Sequence, residues 1–153
     1  MEKLNSYLGM AKNDYLFAKS SVSAGDTIGN YNVVVSLLAQ AGEEYLKAAI
    51  EFCFITDDAM NLLHSHNLRT LYNKVITKYK LSVSSRDCKW LGDFYFDARY
   101  PGDNFVTANR EDAEECLRIV ECLEEDVRKI LSQEKMERQE KQKIIKTLSA
   151  FKE

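Results

Sequence analysis

The sequence is poor in chain breakers, with one proline and six glycines among 153 residues. That excludes loop-dominated and proline-rich classes and leaves room for long uninterrupted helices. Four cysteines are present, Cys53, Cys88, Cys116 and Cys122, with no CxxC pair among them. Cys116 and Cys122, six apart, point to different sides of a helix, so a zinc site lacks its cluster and reduced, mostly buried thiols are expected. The only histidines are His64 and His66. Two apart, they suit a strand better than a helix, and neither Asp57 nor Asp58 stands at a diagnostic spacing, so no metal is expected. A capping or hydrogen-bonded role at a following helix is the expectation for His66. No glycine-rich phosphate loop, no GxSxG and no Ser or Cys tied by spacing to a histidine is found, and neither cofactor nor nucleophile is indicated. No apolar run is long enough to cross a bilayer, and Met1-Glu2-Lys3-Leu4-Asn5 lacks a signal-peptide layout, so the expectation is a soluble, cytoplasmic protein without a membrane partner.

What is present is a helical apolar pattern in a chain that is 45% hydrophobic, enough for one domain with a real core. Leu4, Leu8, Ala11, Tyr15, Ala18 and Val22 recur at steps of four and three and predict a first helix ending near residue 24. Residues 25–30 read as a short loop. Residues 31 to about 55 are apolar nearly all round, which predicts the central, most buried helix. Thr56-Asp57-Asp58 opens a connection to His66. A third helix places Leu68, Leu71, Tyr72, Val75, Ile76 and Tyr79 inward, with His66 or Asn67 near its cap. A fourth, capped by the serines before residue 86, carries Trp90, Leu91, Phe94 and Tyr95 to the lone proline. Asn109-Arg110-Glu111-Asp112 is a cap followed by first-turn acids, and a fifth helix follows with Ala113, Cys116, Leu117, Val120, Leu123, Val127, Ile130 and Leu131 on one stripe. The class is all-α: an up-and-down bundle of four to five helices, the first, second and fifth forming the main core and the shorter two covering an end.

The net charge of −3 is unevenly spread. Residues 134–153 carry six bases against four acids, which leaves residues 1–133 at −5. An acidic body argues against broad electrostatic attraction to nucleic acid, while a local basic pocket stays open. Residues 1–133 read as the helical domain and 134–153 as a charged extension, either helical or mobile, with Ile144, Ile145, Leu148 and Phe151 at helical spacing.

The most site-like chemistry lies in Phe94-Tyr95-Phe96-Asp97-Ala98-Arg99-Tyr100-Pro101-Gly102. Pro101 removes a donor and biases Tyr100 away from helical dihedrals, so a helix stops here. Arg99 is either a cap for terminal carbonyls, or a partner of Asp97, or a group placed to meet a phosphate or carboxylate. Glu43 and Lys47 are one turn apart in the favourable order and read as a surface pair, or as lining a cleft with Arg99.

Three stretches in order resemble the HEPN family (higher eukaryotes and prokaryotes nucleotide-binding domain). They are Gln40-Ala41-Gly42-Glu43-Glu44-Tyr45-Leu46-Lys47-Ala48 against Q-A-A-E-K-x-x-K-A, His66-Asn67-Leu68-Arg69-Thr70-Leu71 against H-x-L-x-x-L, and Tyr95-Phe96-Asp97-Ala98-Arg99-Tyr100-Pro101 against Y-x-x-x-R-Y-P. The resemblance spans roughly residues 4–131. Two departures stand out. The lysine after the Glu of the central helix is replaced by Glu44 or Tyr45, and the arginine with a histidine four to six residues later, carried by ribonuclease members, is absent, since Arg69 follows His66. The resemblance therefore implies a non-catalytic, homodimeric module that engages a nucleotide, a nucleic acid or a nucleotidyltransferase partner, with Arg99, Tyr95, Asp97, Lys47 and Tyr100 as ligand-binding residues. A degenerate ribonuclease toxin of a toxin–antitoxin-like pair, and a purely structural helical adaptor, are the alternatives.

Overall fold

A computed structural model describes residues 3–24 and 31–152. The loop expected at residues 25–30 lies outside the described residues. The described chain forms six helices: α1 (Tyr7–Ser23), α2 (Asn32–Cys53), α3 (Asp57–Leu62), α4 (Leu68–Val75), α5 (Ser85–Asp97) and α6 (Arg110–Phe151). Four long helices make the bundle. Tyr7 at the start of α1 meets Lys47 late in α2, so those two run antiparallel. Asn32 at the start of α2 reaches Ala98 past the end of α5 and Ala108 ahead of α6, while Arg138 of α6 reaches Phe52 near the end of α2. Hence α5 runs against α2, and α6 alongside it.

As its all-round apolarity predicts, α2 is the core helix. It packs against α1, α4, α5 and α6 and buries Val35, Leu38, Ala41, Tyr45, Leu46, Ala49 and Ile50. Gly42 permits the closest approach: a Cβ there would lie 2.9 Å from Leu91 Cδ2 and 3.2 Å from Leu68 Cδ2. The facing positions on α6 are Ala113, Cys116, Ile119, Val120, Leu123, Val127 and Ile130. Cys53, Cys88 and Cys116 are buried free thiols, and burial pushes Cys88 up to about 12.

Local chemistry sets the helix ends. Ser84 with Asp87, and Asn109 with Asp112, form reciprocal capping boxes at the starts of α5 and α6. Asn67, rather than His66, caps α4, its side chain accepting from the Thr70 N–H at 3.0 Å. The connection between residues 56 and 66 is more than a loop. Thr56 caps the six-residue α3, with Asp57 and Asp58 in its first turn and only Ala59 buried, a pattern too short to register as periodicity. The third helix of the sequence ends at Val75, and buried Tyr79 belongs to the turn beyond. Residues 134–151 continue α6 as helix, without a break at residue 133. Among the described residues no helix is long and apolar enough to cross a membrane.

Candidate functional site

The segment 94–102 does not end in the way a proline stop alone would give. Helix α5 finishes at Asp97, and Ala98, Arg99 and Tyr100 fold back onto the last turn through N–H bonds to Phe94 and Phe96 carbonyls. The carbonyls that Arg99 was placed to cap have other partners. Val106 N–H donates to Asp97 O at 2.8 Å, and Asn32 Nδ2 donates to Ala98 O at 3.1 Å. The same Asn32 donates to Val106 O and accepts from Ala108 N–H at 2.7 Å, so one amide ties the starts of α2 and α6 to the end of α5. Among the described residues Arg99 pairs with no carboxylate, Asp97 included. Its guanidinium lies 5.4 Å from the Tyr95 ring centroid, on the exposed surface.

Tyr95 is also the stacking partner of His66, with centroids 5.3 Å apart and planes 10° from parallel. His66 Nδ1 lies 2.7 Å from Glu43 Oε1. Since a carboxylate only accepts, Nδ1 carries the proton, and Nε2 faces away from Glu43 on a side chain that is 53% exposed. The other oxygen of Glu43 lies 3.7 Å from Lys47 Nζ. This pair is no surface pair: both side chains are more than nine-tenths buried, and Lys47 is further held over the Tyr7 ring, 5.9 Å from its centroid. A continuous line thus runs from Lys47 through Glu43, His66 and Tyr95 to Arg99. It links three of the residues the sequence singles out by way of two, Glu43 and His66, that were assigned lesser roles. Tyr100 stands one step further, its ring 6.3 Å from Phe96, which meets Tyr95 edge-on at 4.8 Å. Asp97 points elsewhere, into two grooves that share it and Phe96. One, of about 510 Å³, adds His66, Arg69 and Lys89; the other, of about 450 Å³, adds Tyr100 and Phe105. Arg99 borders a smaller hollow of about 220 Å³ against Val33, Leu37 and Gln40 of α2.

Beside Glu43 lies a feature that spacing does not announce. Glu44 and Asp14 are both buried between α2 and α1. Burial, then the charge of Asp14, pushes Glu44 up to about 8, so at neutral pH it is mostly protonated beside Asp14. Asp14 is also raised, by burial. The residue standing where the family pattern has a lysine is therefore a neutral acid in the core. Its one sequence signal was the adjacent carboxylates Glu43 and Glu44 inside a largely apolar helix, with an aspartate beside the Ala11, Tyr15, Ala18 face of α1.

No group of three or more His, Cys, Asp or Glu among the described residues could hold a metal ion. The fold, the central-helix pattern and the Tyr95 to Pro101 segment have one common explanation. The HEPN domain family matches residues 5–131, and the chain belongs to it. No curated relative and no solved structure matches the chain.

Proposed function

We propose that the protein is a non-catalytic HEPN binding module, residues 1–133 with a helical extension, that acts as a homodimer. It holds a nucleotide or nucleic-acid end at the surface built from Arg99, Tyr95 and His66. One observation carries this reading: an exposed guanidinium, paired with no carboxylate among the described residues, beside an aromatic pair whose second ring is held in place by a buried carboxylate. Arginine suits a phosphate through its fork of donors, and stacked rings suit a base. Lys47 and Glu43 position His66, and Asp97 and Tyr100 border the grooves beside it. A nucleotidyltransferase, which handles nucleotides itself, is the partner class this chemistry fits. Calorimetric titration with ATP tests the reading: the wild type binds, and Arg99→Ala loses about tenfold or more in affinity. Equal binding by both proteins, or by neither, contradicts it.

The Glu43–His66 pair favours a second reading, a ribonuclease in which the carboxylate orients the imidazole for proton transfer. It supplies the histidine that the missing arginine–histidine spacing denied. Cleavage of labelled RNA in EDTA, lost in His66→Ala, establishes that reading, and intact RNA with the wild type removes it.

A further inference from the structure

Asp97 is the last residue of α5, and its backbone is held on both sides. Its own carbonyl accepts from the Val106 N–H at 2.8 Å, and the next, that of Ala98, accepts from Asn32 Nδ2 at 3.1 Å. The partly buried side chain lines the groove of about 510 Å³ between α5 and the start of α4. That volume lies within the range of small-ligand sites. Among the described residues the Asp97 carboxylate takes no hydrogen bond and no ion pair. The cations of the groove are engaged elsewhere. The start of α4 runs against α5: Arg69 Nε donates to Ser85 Oγ at 3.1 Å, a Cβ at Gly92 would lie 3.3 Å from Leu68 Cβ, and His66 stacks on Tyr95. Arg69 is therefore held at the end of the groove away from Asp97. Lys89, about 12 Å along α5 from Asp97, pairs with Asp93 at 3.2 Å.

An acceptor without a partner is thus left beside Phe96, whose ring is 53% exposed and set edge-on against Tyr95. An exposed ring is a stacking platform for any base. A carboxylate beside it is selective. It only accepts, and its two oxygens match two N–H donors set side by side. Guanine alone among the common bases presents such a pair, N1–H and the N2 amino group, on its Watson–Crick edge. Adenine and cytosine each set a donor next to a ring acceptor, and uracil sets one N–H between two carbonyls, so each turns a lone pair towards the carboxylate. We propose that Asp97 reads guanine, with Phe96 as the platform, and that the ligand of this surface is a guanine nucleotide. The inference rests on the binding surface proposed above, leaves the phosphates with Arg99, and names the base.

Calorimetric titration of the full chain with GTP, ATP and XTP tests it. The wild type should bind GTP about tenfold or more tighter than ATP. Asp97→Asn should lose that preference and bind XTP about tenfold tighter than the wild type does. Xanthine replaces the N2 amino donor by a carbonyl, which an asparagine amide N–H can meet while its oxygen keeps the N1–H. Phe96→Ser should weaken GTP and ATP alike. A wild type that binds both nucleotides equally, or ATP more tightly, overturns the guanine reading while the binding surface stands; binding of neither overturns both. A GTP preference kept in Asp97→Asn, with no gain for XTP, overturns the role of Asp97, and unchanged affinities in Phe96→Ser overturn that of the platform.

Discussion

Glu43 accepts from His66 and faces Lys47, and both of its oxygens are committed in a site nearly closed to water. Replacing it leaves the Lys47 ammonium buried without its carboxylate, which costs far more than the few tenths of a kcal/mol of an exposed helical pair. Glu43→Ala should therefore destabilise the fold by about 3 kcal/mol in urea unfolding, and His66→Ala, with its half-exposed ring, by about 1 kcal/mol. Glu44 works in the opposite sense. Its folded pKa, about 8, lies above the ordinary 4.5, so the folded state binds the extra proton. Its contribution is whole below about pH 4.5 and is lost as pH rises through 8, and the raised Asp14 acts with the same sign. Unfolding free energy should fall by roughly 2 to 4 kcal/mol between pH 5 and 9, and Glu44→Gln should flatten most of that slope. An unchanged slope in the variant would mean that the pair is not the titrating element. Of these residues the sequence displayed Lys47, Tyr95 and Arg99 through their spacing. For His66 a hydrogen-bonded role was legible but its partners were not, because Glu43 and Tyr95 lie 23 and 29 positions away and only packing joins them.

At the scale of elements, the long helices were legible because each buries one periodic face over many turns, and both capping boxes were written as Ser or Asn three residues before an Asp. Helix α3 was not, since six residues with one buried side chain leave no period to read. Nor was the lock at the end of α5. Pro101 and Arg99 drew the eye, yet the Ala98 carbonyl is held by Asn32, 66 positions earlier in the chain, and the Asp97 carbonyl by the Val106 N–H. Asn32→Ala removes bonds to Ala98, Val106 and Ala108 together. It should cost about 2 to 3 kcal/mol and speed amide exchange at Ala108, while α1 keeps its protection. If exchange there is unchanged, Asn32 does not fasten these three ends.

For the whole molecule, apolar content and scarce breakers foretold an up-and-down all-α bundle, and the bundle brings α5's end and the segment before α4 to one side of α2. The sequence also announced a charged extension. Its continuity with α6 was harder to read, because polar residues 133–143 interrupt the apolar pattern where the helix leaves the body. The acidic body makes the exposed Arg99 conspicuous as a local cation against a field of the opposite sign. In the proposed site Arg99 and the Tyr95 ring bind a nucleotide as one unit. A double-mutant cycle in ATP affinity, with Arg99→Ala, Tyr95→Leu and both together, tests this most directly. Each single change should weaken binding about tenfold and the double change should add little more, a coupling of at least about 1 kcal/mol. Additive losses, or a wild type that does not bind ATP, would contradict it.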